Sequence, residues 1–363
     1  MSACDACLRR TALLGLLGPW IEHGGGGVRR LPAALALPDD ELVQGVCGDK
    51  RAAVDARLAR FDATQARTRA AAAGMAVLCR HARAYPAELV QMPDSPAVLH
   101  TLGDASLLDR CGADGAVAVV GSRQASDYGL QMAHALGRDL AGAGVPVVSG
   151  MAYGVDSAAH EGALAARGPT IAVMPGGADY AYPRSKTALH ARIGAAALLV
   201  AEMPPGMRPF RWSFPARNRI MAALARMTIV VEGTEGSGSL ITAAFAQDLG
   251  RDVGAVPGQA TSALAAGPNR LLAEGAVVVR SAADVLDALY GPGVRVPGSA
   301  AAVMLERLEP RLRLLLDRVE QGVGTVDELA REAPVGEVLA GLSELELLGF
   351  VTRGAGGDYA RRA

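Results

Sequence analysis

Between Tyr180 and Val231 stand eight basic side chains, Arg184, Lys186, Arg192, Arg208, Arg211, Arg217, Arg219 and Arg226, against one acid, Glu202. The whole chain carries a formal charge of −1, so this local excess is a field suited to an anion. Phe210, Trp212 and Phe214 alternate with Arg211 and Ser213 inside it. Guanidinium groups interleaved with flat rings supply what an unpaired polynucleotide needs, positive charge for phosphates and π-faces for unstacked bases. The competing reading of the rings is structural: on one face of an extended segment, all three would pack into the core.

Five loops add to this signal. Gly121-Ser122-Arg123 follows an apolar run, and its backbone, hydroxyl and guanidinium suit one or two phosphates. It is not the dinucleotide fingerprint G-x-G-x-x-G, and no G-x-x-x-x-G-K-[ST] occurs, so nucleotide hydrolysis has no support. Ser149-Gly150-Met151-Ala152-Tyr153-Gly154 leads into a helix whose free amides would attract an anion. Asp156 and His160 share a helical face there, the spacing of a metal or acid–base pair, but a third ligand is missing. The third loop, around Pro175-Gly176-Gly177, opens the basic region; Phe214-Pro215-Ala216-Arg217-Asn218-Arg219 starts a helix; Ser237-Gly238-Ser239 offers small hydroxyls at another helix start. On these grounds the expected DNA contacts include Gly121, Ser122, Met151, Gly176, Lys186, Phe210, Arg211, Ser237, Gly238 and Ser239.

What must position these loops is a sheet. Apolar runs at 116–120, 145–149, 170–174, 197–201, 228–231, 252–256 and 276–279 alternate with helical patterns near 128–142, 156–166, 186–194, 217–225, 239–248, 269–274 and 282–290. Continuously apolar strands alternating with helices specify an α/β fold, a parallel doubly wound sheet covered on both faces. Ligands of such sheets bind outside the carboxyl ends of the strands, where the five loops fall. Residues 1–105 read as helical and loop-rich: Asp39-Asp40-Glu41 could cap a helix, and an Ala/Arg segment runs from Arg51 to Ala73. A Gly/Pro linker spans 291–303, and 304–363 carries three amphipathic helices and a small hairpin, the pattern of a winged helix. Its third helix bears Glu337, Glu344 and Glu346 without a cation, which phosphates would repel. The division is therefore 1–105, 106–290, 291–303 and 304–363.

With 363 residues and 50% apolar content the chain can bury a core in two or three domains. Two lysines, Lys50 and Lys186, accompany 34 arginines, a compositional bias that empties any single Arg-for-Lys choice of meaning. Arg9-Arg10 before the apolar run Leu13–Ile21 has the outline of a secretory or twin-arginine signal. The run is short, meets Glu22 and lacks a cleavage site, so it reads as a buried amphipathic helix. No uninterrupted apolar window is long enough to span a membrane. Of the five cysteines, Cys4-x-x-Cys7 lacks a second ligand pair at zinc spacing, and all read as free thiols in a reducing cytoplasm, with no metal and no cofactor expected.

The series GSRQASDYG (121–129), SGMAYGVDSAAHEGAL (149–164), TIAVMPGGADYAYP (170–183), FPARNRIMAAL (214–224) and SGSLITAAFAQDLGRDVGAVPG (237–258) closely resembles the DNA-processing protein A family, DprA or Smf. The resemblance covers about 110–290. It implies an extended Rossmann-like domain that binds single-stranded DNA, dimerises, and hands the strand to a RecA-type recombinase in natural transformation, as a non-catalytic mediator. It also implies a small N-terminal helical domain related to sterile-alpha-motif (SAM-like) folds and a C-terminal winged helix. By the same resemblance Arg123, the loop Ser149, Gly150 and Ala152, and the trio Arg217, Asn218 and Arg219 contact DNA, while Asn269, Leu271 and Leu272 fall at a dimer contact. Tyr153 stands where the family commonly has Arg, and Lys186 where it commonly has Asn.

The other class of function considered is a nucleotide-processing, phosphoribohydrolase-like enzyme. Pro175-Gly176-Gly177 invites it, but Ala178-Asp179 follow, and no nearby glutamate could stabilise an oxocarbenium ion.

Overall fold

The computed structural model describes residues 3–23, 31–111, 115–294, 308–331, 333–348, 350–354 and 357–361. At its centre is a nine-stranded sheet. The strands are β1 (Ala76–Cys79), β2 (Val98–Gly103), β3 (Ala116–Val120), β4 (Val147–Ser149), β5 (Thr170–Gly177), β6 (Leu198–Met203), β7 (Ala225–Val230), β8 (Asp252–Ala255) and β9 (Val277–Val278), in the spatial order β1-β2-β6-β5-β4-β3-β7-β8-β9. β3 to β9 are mutually parallel, and each of the seven lies where an apolar run predicts it.

Two strands were not legible. β1 and β2 lie in the stretch read as helical and loop-rich, yet they pair with each other and, through β2, with β6, both antiparallel. β2 is buried along most of its length, so its side chains show no alternation that would mark a half-exposed strand. The Ala/Arg segment 51–73 is also two helices rather than one, Arg51–Leu58 and Ala63–Ala72. Asp62 divides them: its carboxylate accepts from the Thr64 and Gln65 amides and starts the second.

The sheet is covered on both faces because β3 is apolar on both. Ala118 and Val120 belong to one core with Ile220, Met221, Leu240 and Ile193; Val117 and Val119 belong to the other with Leu136, Leu140, Val285 and Leu286. The first layer holds the helices α9 (Thr187–Ala196), α10 (Ser213–Leu224), α11 (Gly238–Asp248) and α12 (Ala266–Ala273). The second holds α7 (Asp127–Gly142), α8 (Val155–Ala165) and α13 (Ala282–Tyr290), the numbering counting six helices before β3. Of those six, α1 (Asp5–His23) buries Leu13, Leu14 and Leu17 against Leu42, Val54, Met203, Trp212 and Ala216, as expected of an amphipathic helix. Replacing Leu17, fully buried, by Ala would cost about 2–5 kcal/mol.

The C-terminal elements are α14 (Pro310–Glu320), α15 (Val326–Leu329), α16 (Val335–Leu347) and the hairpin β10 (Val351–Arg353) with β11 (Tyr359–Arg361), sharing a core of their own. Residues 295–303 of the expected linker and 304–307 of the expected helix lie outside the described residues.

The expectation that Cys4 and Cys7 lack further ligands needs correction. The fold places Cys79, at the end of β1, and His81 beside them, with one ligand atom from each of the four within 4.8 Å of the others. No pattern in the sequence marks β1 as a strand, so none aligns its end with the start of α1.

Candidate nucleic-acid interface

Strand order reverses between β3 and β7: β4, β5 and β6 follow β3 on one side, β7 and β8 on the other. The loops that leave β3 and β7 must diverge there, opening a crevice at the carboxyl ends. A cavity of about 770 Å³ occupies it, lined by Gly121, Ser122, Arg123, Ala152, Tyr153, Arg211, Phe214, Arg217, Asn218, Ser237, Gly238 and Ser239 among others. Four of the five loops expected to converge thus do so.

Local chemistry fixes each wall. Ser126 caps α7 by accepting from the Gly129 amide, while its own amide and hydroxyl donate to Glu232 at 2.8 and 2.6 Å, tying the loop after β3 to the end of β7. The loop after β4 turns through Met151, at φ 54°, and Gly154, at φ 73°; the Met151 side chain is fully buried, which holds a conformation that a non-glycine residue avoids. Asp156 then folds back to accept from the Gly150 and Ala152 amides at 3.2 and 3.4 Å. Ser237 starts α11, and the Asn218 side chain donates to the Gly238 carbonyl at 3.3 Å, locking α10 to α11.

Arg217 forms the floor. Its guanidinium donates to the Val173 carbonyl at 2.7 Å and lies 3.7 Å from Asp156. A β-carbon at position 150 would occupy the guanidinium's own space, so the glycine there is what admits Arg217. Burial lowers the Arg217 pKa to about 10, with Asp156 opposing and Arg123 adding to the fall; burial likewise pushes the Asp156 carboxyl up, with Arg217 pulling it back. At neutral pH Arg217 remains a cation, with Asp156 as its nearby carboxylate.

The mouth is built differently. Arg123 is exposed and stands over the Phe214 ring at 5.3 Å from its centroid, and Tyr182 meets the same ring edge-on at 5.2 Å. Tyr153, 46% exposed, shares a 2.7 Å hydrogen bond with Ser185, whose chain neighbours are Arg184 and Lys186; neither of these two lines the cavity. Lys186 also meets Glu161 at 3.3 Å. Arg211, exposed, completes the wall.

Several expected contacts are elsewhere. Arg219 is 1% exposed and turned away from the cavity: it donates to both Glu202 oxygens at 2.9 and 2.7 Å and lies 3.2 Å from Asp94. Phe210 and Trp212 stack on each other at 6.1 Å and pack among the N-terminal helices, with the indole donating to the Gly18 carbonyl. For those two rings the structural reading is correct; Phe214 instead lines the cavity. Ser149 is buried and donates to the Val119 carbonyl, and Gly176 packs on the Met207 and Pro209 backbone. Asp156 and His160 form no pair: His160, fully buried, meets Thr170 at 2.7 Å, and burial with Arg217 nearby lowers its pKa to about 3. At the expected dimer contact Leu271 belongs to the chain's own core and Asn269 exchanges hydrogen bonds with Gly258, leaving Leu272 half-buried.

Phe214, one of the three interleaved rings, lines the cavity, and Tyr182 at the end of the third loop packs on it. Their signal was the pair Tyr182-Pro183 and Phe214-Pro215, each an aromatic fixed just ahead of a proline at the edge of the basic region.

A family model described as DNA recombination-mediator protein A matches residues 76–290, β1 through α13. The chain belongs to this family. The match begins at β1, so the two antiparallel strands are part of the unit the family shares, not only the 110–290 span in which its motifs stand out. A DNA processing protein DprA of Mycobacterium tuberculosis is 43% identical over 264 residues, covering 70% of this chain and 66% of its own length. Protein Smf of Synechocystis is 34% identical over 310 residues, 77% of this chain and 78% of its own. The X-ray structure of DNA processing protein A from Streptococcus pneumoniae superposes with a TM-score of 0.63 at 32% identity, covering 79% of this chain and 98% of that one. That of Helicobacter pylori, described for its single-stranded DNA binding mode, gives 0.53 at 30% identity over 59% and 95%. The Rossmann-like sheet expected of a DprA relative is therefore present. Among the described residues, no helix of this DprA/Smf-family chain is long and apolar enough to cross a membrane.

Proposed function

We propose that this protein binds single-stranded DNA in the crevice between the β3 and β7 loops. The observation that carries the reading is Arg123 standing on the exposed side of Phe214 at the mouth of the cavity: a cation for a phosphate fixed against a ring for a base. The binding of single-stranded DNA by the Helicobacter pylori relative supports it. The reading is of a non-catalytic mediator. Asp156, the carboxylate that lines the cavity, is engaged by Arg217 and two backbone amides, which leaves it without the freedom of a general acid or base.

The wider role follows the family: a cytoplasmic homodimer that protects an incoming strand and loads a RecA-type recombinase on it. The half-buried Leu272 and the 49%-exposed Val278 of β9 mark the sheet edge that suits the dimer contact. An N-terminal helical unit of SAM-like kind and a C-terminal winged helix complete the division into domains. The acidic α16 fits a protein partner rather than duplex DNA.

Fluorescence anisotropy with single- and double-stranded oligonucleotides tests the reading. With Arg123, Arg184, Lys186 and Arg211 on phosphates, log affinity should fall against log salt with a slope of about −2.8, roughly 50-fold between 50 and 200 mM. A flat salt profile, or equal affinity for duplex, refutes it.

A further inference from the structure

Cys4 and Cys7 lie at the start of α1, and His81 lies 74 positions after Cys7, immediately beyond β1. The His81 Nδ1 is 3.4 Å from the Cys4 sulfur and 3.4 Å from the Cys7 sulfur. The Cys79 sulfur is reached by the Cys4 and Cys7 thiols and by the Cys4 and His81 backbone amides. Three sulfurs and one imidazole nitrogen therefore converge on a common point.

A tetrahedral ion with metal–sulfur bonds of about 2.3 Å and a metal–nitrogen bond of about 2.0 Å has sulfur–nitrogen edges of about 3.5 Å and sulfur–sulfur edges of about 3.8 Å. Both sulfur–nitrogen separations already match that edge, and the 4.8 Å limit on the rest requires shifts of about 1 Å at most. One imidazole nitrogen can accept from only one thiol at a time, so a plain hydrogen bond does not account for two sulfurs at equal distance.

We infer that Cys4, Cys7, Cys79 and His81 bind one zinc ion as a structural Cys3His site. Soft thiolates with an imidazole in a closed four-ligand set select zinc, and the set leaves no position for a substrate. Binding converts up to three thiols to thiolates and releases their protons to solvent; the metal does not change oxidation state. Arg80, between two ligands, offsets the resulting negative charge. The purpose is local. Around the site the fully buried apolar cluster is small, Ala3, Cys7, Leu8, Cys79, Ala97 and Val98, and the polar tie at the start of α1, from Arg67 to Ala3 and Asp5, runs to a helix rather than to the β1 edge, which the metal would secure.

Full-length protein, purified under reducing conditions without a histidine tag, is assayed for zinc by mass spectrometry and for thiols under denaturing conditions. Apoprotein is then titrated with Co2+. The expected results are one zinc per chain, five reduced thiols, and the intense visible bands of tetrahedral cobalt with thiolate charge transfer. Cys79→Ser should lose the bands and Cys47→Ser should keep them. His81 is exposed, so His81→Ala should fold, as circular dichroism will report, and still lose tight binding; His81→Cys should restore it with a four-thiolate spectrum. Zinc-free protein with five reduced thiols and no tetrahedral cobalt bands overturns the inference. So does a disulfide among the three cysteines, or metal retained by folded His81→Ala at wild-type affinity.

Discussion

The switch-point crevice and the junction between α10 and the N-terminal helices are both built on arginine, and they use it in opposite ways. At the crevice Arg123 and Arg211 are exposed, while Arg217 on the floor lies 3.7 Å from Asp156 and Lys186 at the rim meets Glu161. At the junction Arg219 is enclosed and held by Glu202 and Asp94. Burial raises the Glu202 pKa while Arg219 pulls it back, the pattern of a charge kept inside by its partner. The lesson is that counting cations finds a region, whereas pairing decides which of them are available to a ligand.

The largest test of this contrast is Arg219→Met. It strands two carboxylates in the interior and should cost about 3–5 kcal/mol in urea unfolding. Folded variant should still bind single-stranded DNA with the wild-type salt slope; a reduced slope would place Arg219 in the crevice after all. Adding Glu202→Leu and Asp94→Leu should recover much of the lost stability.

Next come the two rings on either side of the divide. Trp212→Ala should lower stability by about 3–5 kcal/mol with DNA affinity intact. Phe214→Ala should instead lower single-strand affinity by about 1–3 kcal/mol without changing the salt slope. If both variants affect only folding, the mouth of the cavity has no stacking role.

Proton uptake should separate the regions too. His100 on β2 is pushed down to about 4, burial being the main cause and a backbone bond to Ala201 opposing it, and His160 on α8 to about 3. Both must stay neutral in the folded state, so their contribution is complete above pH 6.5 and is lost as pH falls. Between pH 6.5 and 5 each should remove about 2 kcal/mol. His160→Gln should flatten part of that slope in chemical denaturation. DNA binding in the crevice should stay level while the fold holds.

The smallest effect belongs to Arg123→Ala. Removing one phosphate contact should weaken all sequences alike and shallow the salt slope by about 0.7, read by anisotropy across the same salt range.

Much of this was legible before any coordinates. Seven parallel strands and their seven helices follow from apolar runs alternating with helical periods, and four loops rich in Gly, Ser and Arg meet where such a sheet must bind. Two of the misassignments share one cause. Trp212 with Phe214, and Arg217 with Arg219, are pairs two residues apart that were each assigned to one site. In a strand that spacing returns to the same face, but 213–224 is helical, and two residues there turn by about 200°. One member of each pair therefore lines the crevice, while Trp212 packs on the N-terminal helices and Arg219 on Glu202 and Asp94.

Sequence alone determined the composition of the layers, the order of the loops and the sign of the field, because apolar periodicity, turn residues and charge are local properties. Tertiary structure decided which cations were neutralised, which ring faced outward, and that Cys79 and His81 would meet Cys4 and Cys7. Those outcomes depend on groups far apart along the chain, and on helix rotation and strand pairing that no local pattern encodes.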